Sequence, residues 1–222
     1  MNTNINNKTV STKVYLNVPY SRKDEAKNMG AKWDPDFKSW YMLENNRNFD
    51  KLTLLFPDII LIGEDRTFGG NQLFVDLIPK SCWFTNVRYC IAEDDWNRLR
   101  KIIYQRANNV CECCGELNGK WLEAHERWSY DDKNKIQKLE RLIALCKDCH
   151  TSTHLGYAQI KGLGEYAVQH LQKVTGFNNK QLQEHIDRAF ETWRERSVNE
   201  YTLDLRLITN SGIKLNFPIR NA

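Results

Sequence analysis

The stretch Cys111 to His154 decides how this chain is read. It opens as Cys111-Glu112-Cys113-Cys114-Gly115 and passes through Leu122-Glu123-Ala124-His125-Glu126. It closes as Leu142-Ile143-Ala144-Leu145-Cys146-Lys147-Asp148-Cys149-His150, with His154 four residues on. A C-x-x-C turn brings two thiolates onto one ion, and two such turns supply the four tetrahedral ligands that zinc prefers. Cys111, Cys114, Cys146 and Cys149 are therefore expected to hold a structural zinc, with much of the central region's stability depending on it. Cys113 is the spare thiol of the first turn and replaces a neighbour only with awkward geometry. Cys82 and Cys90 read as buried thiols.

Seven cysteines are an odd number, and the first residues, MNTNINNKTV, lack the apolar core of a signal peptide. A secreted disulfide framework is a poor fit, and the expected location is cytoplasmic. The chain has 222 residues, 41% hydrophobic and 27% charged, which suits one large or two small globular domains. No run approaches the ~18 apolar residues of a membrane span. Lys and Arg exceed Asp and Glu by only four, and the excess is spread evenly. Bulk charge thus gives no sign of non-specific coating of nucleic acid, and any such contact must come from a local patch.

Working outward, Thr9–Val18 alternates as a strand. Ser21 is a candidate N-cap for a helix that ends near Gly30. Asp34-Pro35-Asp36 is turn chemistry between two aromatic arms, predicting a hairpin with Trp33, Trp40 and Tyr41 in a small core. The glycine-rich, charged stretch 62–72 reads as a linker, and Leu73–Ile78 as a strand. A helix is expected from Asp94 or Asp95 to about Ala107, burying Trp96, Leu99, Ile102 and Ile103. Beyond the cysteines, the helix from Cys149 breaks at Gly162–Gly164, and Glu165–Val174 is helical. Asn178 or Asn179 caps a helix from Lys180 to about Arg196, and Tyr201–Ile208 alternates as a strand.

Two resemblances follow from these residues. Val14-Tyr15-Leu16-Asn17-Val18-Pro19-Tyr20, Asp24-Glu25-Ala26-Lys27, Gly30-Ala31-Lys32-Trp33-Asp34 and Lys38-Ser39-Trp40-Tyr41 resemble the small DUF5710 module. That module is found appended to DNA-processing and mobile-element proteins. The double C-x-x-C, the strand histidine between its halves and the C-H-x-x-x-H ending together resemble the HNH endonucleases, a treble-clef ββα-metal fold, over roughly residues 96–160. Trp83, Asn86, Arg88 and Phe190–Arg196 resemble sequence flanking that core.

The second resemblance implies an activity, hydrolysis of phosphodiester bonds in DNA. It makes His125 the general base that activates water, and puts His150 and His154, four apart on one helical face, on a catalytic Mg2+, Mn2+ or other divalent ion. That spacing resembles the colicin DNase variant. The chain departs from the family pattern at Ala124, where a metal ligand is common, and at Arg141, where an asparagine usually orients the base. Arg141 has no acceptor and is instead suited to phosphate. Two repairs are open: His125 joins the metal with Glu126 as base, or Glu123, Asp131 or Asp132 supplies a carboxylate.

The expected architecture is α+β. Residues 1–61 form the N-terminal module, 62–72 a linker, and 73–222 a zinc-bound HNH-like domain with a helical extension over 161–222. The expected partner is DNA, with RNA or protein as alternatives and no membrane. The competing reading is an inactive zinc-stabilised module that binds nucleic acid or protein, in a setting such as phage–host conflict. On that reading the histidines are a capping, an exposed and a carbonyl-bonded side chain. His170 and His185 have no supporting constellation.

Overall fold

The computed structural model describes residues 13–16, 18–35, 39–56, 61–83, 86–116 and 122–216. The chain divides into two units, Met1–Ile59 and Ile60–Ala222.

In the first unit, β1 (Lys13–Leu16), β2 (Lys32–Asp34) and β3 (Ser39–Leu43) form an antiparallel sheet in the order β1-β3-β2, with α1 (Lys23–Asn28) and α2 (Phe49–Leu55) beside them. The hairpin expected around Asp34-Pro35 is present, with Trp33 opposite Trp40. Asp36, Phe37 and Lys38 lie outside the described residues, as do Thr9–Thr12 of the expected first strand. The buried core is mostly aliphatic, Leu16, Ala26, Ala31, Met42 and Leu52, with Phe56 its one fully buried aromatic among the described residues. Trp40 packs against it, whereas Trp33 is 47% exposed. The two indoles are cross-strand partners on one face and meet edge to face at 5.7 Å, but Trp40 is on the central strand β3 and Trp33 on the edge strand β2, which leaves Trp33 open to solvent. Ser21 caps nothing. A 3-10 turn, Tyr20–Arg22, precedes α1, and its start has no side-chain cap. Gly30 stops α1 at φ +96°, a conformation that strains any residue with a Cβ.

The second unit contains α3 (Val87–Cys90), α4 (Glu93–Arg106), β4 (Leu122–Asp131), β5 (Ile136–Cys146), α5 (Lys147–Thr153), α6 (Leu155–Ile160), α7 (Gly164–Thr175), α8 (Asn179–Arg196), β6 (Thr202–Asp204) and α9 (Arg206–Thr209). Its sheet runs β4-β5-β6, antiparallel then parallel. β5 ends in Leu142-Ile143-Ala144-Leu145-Cys146, all fully buried. A strand covered on both faces reads as a continuous apolar run rather than an alternation. Trp96, Leu99 and Ile103 are the buried stripe of α4. Asn178 caps α8 in a reciprocal capping box with Gln181. Tyr201–Ile208 does not continue as one strand: β6 ends at Asp204 and a helical turn follows.

Residues 62–72 are not a free linker. Asp65 N donates to Glu140 O at 3.0 Å. Glu64 Oε1 accepts from Leu142 N at 2.9 Å and from Arg106 Nη2 at 2.7 Å. Leu73–Ile78 is held in the same way without joining a sheet: Val75 N donates to His185 Nε2 and Asp76 N to Thr153 O. His185 therefore has a structural duty. Composition marked the glycines and charges correctly, but one of those charges, Glu64, is held on the buried backbone of β5, while Asp65 and Arg66 stay exposed.

Arg141 is 2% exposed. It donates to Glu112 Oε1 at 2.7 Å, Gly70 O at 2.9 Å and Asn71 Oδ1 at 3.2 Å. Glu112 Oε2 in turn accepts from Ala144 N at 2.7 Å. The phosphate contact expected of Arg141 is thus replaced by an internal tie between the 64–71 segment, the first cysteine turn and β5. Removing one partner of a buried ion pair leaves the other charge uncompensated. Arg141→Met is expected to lower stability by about 3 kcal/mol, measured by denaturant unfolding. A change under about 0.5 kcal/mol contradicts the tie.

Candidate metal centres

The four sulfurs of Cys111, Cys114, Cys146 and Cys149 lie within 4.8 Å of one another. Cys114 Sγ and Cys146 Sγ are 3.7 Å apart. A tetrahedral zinc with Zn–S of about 2.3 Å places its sulfurs roughly 3.8 Å apart. The local backbone is shaped for this. Gly115 N donates to Cys111 O with Gly115 at φ +74°, which closes the first turn. Cys146 caps α5, its Sγ accepting from Cys149 N at 3.5 Å. Hydrogen bonds from the Cys146 and Cys149 thiols hold Cys111 as a thiolate, and the same contacts push Cys146 up to about 12 and Cys149 higher still. Four thiolates this close need a cation to coexist, and the donor set suits zinc. Cys113 is not a ligand: it donates to Gln72 O at 3.6 Å, and burial raises its thiol to about 12. Cys82 is buried, as expected, while Cys90 is only partly so.

His170 is one residue that spacing missed. Its Nε2 lies 3.2 Å from Cys149 Sγ. A ring N–H there donates to the thiolate, the kind of outer contact that tunes a metal site. The clue was helical packing of α7 on α5, which sequence period alone does not show.

A second cluster lies across the same strand and helix. His125 on β4, His150 on α5 and His154 at the α5–α6 junction place one nitrogen each within 4.8 Å of the others. Ring centroids are 5.4, 4.9 and 4.6 Å apart for the pairs 125–150, 125–154 and 150–154. A tetrahedral ion with M–N near 2.1 Å sets its nitrogens roughly 3.4 Å apart, inside that bound. His125 is 1% exposed, and neither of its ring nitrogens has a hydrogen-bond partner among the described residues. Burial, then the charges of His154 and His150, drive its pKa well below the usual imidazole range. Burial and His150 push His154 down to about 3. These rings are neutral with lone pairs available, the form that binds a metal.

His150 differs, because its Nδ1 is 2.8 Å from Glu123 Oε2. That contact lowers the Glu123 pKa. A carboxylate on Nδ1 fixes the tautomer that leaves the lone pair on Nε2. Of the three carboxylates the sequence left open, Glu123 is the one at the cluster, two residues from His125 on one face of β4 and in contact with His150. Asp131 and Asp132 are at the far end of the strand. Asp131 closes the hairpin turn on Lys133 N and Asn134 N, and Asp132 pairs with Arg196 and Tyr201. Glu126 lies outside the histidine cluster, its Oε1 accepting from Val87 N at 3.0 Å. Burial raises its pKa. Glu123, Ala124, Glu126 and His150 line a groove of about 840 Å3 that also receives Arg88 and Arg100.

The titration has a sign that can be checked. A histidine whose folded pKa is depressed binds fewer protons folded than unfolded, so it takes stability away as pH falls below about 6.5. For His154 the window runs from about 6.5 down to about 3. In protein that holds only the cysteine-bound zinc, His154→Gln is expected to lose less stability than wild type on acidification. The two curves should diverge by about 1 kcal/mol per pH unit between pH 6 and 4, measured by urea unfolding. Parallel curves contradict the assignment of His154 as a neutral ring held from protonation by desolvation and His150.

Residues 13–53 match the DUF5710 family, a domain of unknown function, so the first unit contains that domain. A stretch of 28 residues is 61% identical to the DNA primase TraC of Escherichia coli. The match covers 13% of this chain and 2% of that protein, so only a small fragment of the relative is shared. No solved structure matches the chain. Among the described residues, no helix is long and apolar enough to cross a membrane.

Proposed function

We propose that the second unit is a metal-dependent phosphodiesterase of the HNH type, acting on DNA, with a structural zinc on the four cysteines. The observation that carries this reading is the histidine cluster, in which a fully buried imidazole finds no partner for either nitrogen among the described residues and lies beside two further rings. Leaving buried polar groups unpaired costs ~1–3 kcal/mol each, and a divalent ion bound by His125, His150 and His154 removes part of that cost. His125 is on this reading a ligand, since it is enclosed with the other two rings. A bound ion supplies stabilisation of negative charge on a phosphate. Glu126, raised by burial and lining the same groove as His150, is the base candidate, because a carboxylate of raised pKa accepts a proton better near neutral pH. Arg88 and Arg100 offer cationic contacts for the backbone. A short likeness to a protein named as a DNA primase supports a nucleic-acid setting.

The test is cleavage of supercoiled plasmid and of single strands by the full chain, with magnesium, manganese, nickel or zinc titrated in. Nicking that saturates with a second equivalent of metal, beyond the tightly held zinc, is expected. Its absence with every metal and substrate leaves the binding-module reading in its place.

A further inference from the structure

Behind His154 the second unit has a separate cavity of about 710 Å3. That is within the ~300–1,000 Å3 of ligand pockets. Its walls include Trp83, Trp128, Tyr157, Phe190 and Trp193. Trp83 Nε1 and Trp193 Nε1 both donate to Ile78 O, at 2.9 and 3.0 Å, which fixes the two indoles around one carbonyl. Trp83 is nevertheless 55% exposed and Tyr157 64% exposed. Large aromatic faces left open to water in this way mark binding surfaces.

Three observations choose the occupant. The first is a carboxyl inside the apolar wall. Asp76 lines the cavity, and its carboxylate accepts no hydrogen bond from the described residues, while Arg127 and Arg196 act on it only through their charge. An aliphatic chain or apolar helix leaves that group unpaired, whereas a nucleobase presents amino and imino N–H groups at its edge. The second is the rim. Lys80 and Lys161 line the same cavity, with Lys80 Nζ 5.4 Å from the Trp193 ring centre and Lys161 Nζ 5.4 Å from that of Tyr157. An aromatic wall with two flexible lysines lying over its rings matches a base with its phosphates, the ammonium groups moving to the phosphates as the base takes the ring face. The third is continuity, since His154 belongs both to this wall and to the histidine cluster.

We infer that this cavity takes an unstacked nucleobase of the strand whose phosphate is held at the histidine cluster. The base stacks on the aromatic wall, its donor edge meets Asp76, and Lys80 and Lys161 hold the flanking phosphates. The inference deepens the phosphodiesterase reading and rests on it for the presence of a strand at His154. It makes the substrate single-stranded or locally opened, because a base inside a duplex cannot reach such a wall.

The test is fluorescence anisotropy of the full chain with labelled 12-nucleotide single strands at fixed salt. A dC strand and a dT strand are compared with a strand of the same length that carries only abasic sugar phosphates. Base-bearing strands are expected to bind roughly 5- to 100-fold more tightly, the range for aromatic stacking. Trp83→Ala and Tyr157→Ala should erase that advantage and leave abasic binding unchanged, and Tyr157→Ala, at a position 64% exposed, should also leave thermal unfolding unchanged. Equal affinity for abasic and base-bearing strands overturns the pocket, as does an equal loss on both in the variants or no binding of any strand. The two readings separate cleanly. Cleavage that ignores the bases removes the pocket and keeps the hydrolase, whereas base discrimination without cleavage keeps the pocket and removes the hydrolase.

Discussion

Stripping the metal from the four-cysteine site is expected to unfold the second unit. Cys111 and Cys114 sit ahead of β4, while Cys146 and Cys149 join the end of β5 to the start of α5. One ion therefore ties both ends of the long hairpin to the helix that carries His150. Apparent binding energies of structural zinc run to ~10–16 kcal/mol, as large as the whole stability of an ordinary domain, ~5–15 kcal/mol. Without the cation, the crowded thiols must take up protons, and Cys146 and Cys149 already resist ionising beside Cys111. The measurement is hydrogen exchange on the full chain, with and without a strong chelator, followed by Cys146→Ser. Protection in β4, β5, α5 and α7 should collapse by several orders of magnitude, with β1 to β3 unaffected. Retained protection in metal-free protein rejects a structural role for the ion.

How much of this was legible depended on whether the signal was local. The ligand cysteines could be read because a C-x-x-C turn is a local geometry, and four of one kind admit one simple closure. The N-cap at Asn178 and the stripe of α4 could be read for the same reason. The first helix misled because Ser21 has the right chemistry, but a 3-10 turn occupies its place. Arg141 was misread because its partners, Glu112 and the carbonyl of Gly70, are distant in sequence, and only the folded strand brings them to it. The 62–72 segment was misread similarly: glycine and charge are the marks of a linker, and also of a docked loop in which a single carboxylate, Glu64, accepts from the backbone of a distant strand. Within the candidate site, the three histidines came from spacing and resemblance. Glu123 stayed one of three open carboxylates, because what singles it out is its contact with His150 on another element, and Asp131 shares its strand parity.

Replacing His125 should have opposite signs on activity and on metal-free stability. If the ring is a ligand, His125→Ala removes one of three nitrogens and cleavage falls by about 10^3-fold or more, a loss of ~4 kcal/mol or more in transition-state stabilisation. The zinc content of the cysteine site should not change. His125→Met, which keeps the volume and removes both orphaned nitrogens, should be neutral or stabilising by about 1 kcal/mol when only zinc is present, since it deletes buried groups that lack partners. With the second metal added, wild type should gain stability by mass action and His125→Met should not. A ring that serves only as base predicts something else: the second metal still binds, and stabilises, in the His125→Met protein. Glu126→Gln separates the remaining roles. It should cut cleavage by ~10^2–10^4-fold while leaving the affinity for the second metal intact, whereas Glu123→Gln should weaken that affinity by ~10–100-fold through His150. Calorimetric metal titration beside the cleavage assay reads all four variants. Unchanged metal binding in every one of them leaves the buried pair of nitrogens on His125 as a packing defect rather than half of a site.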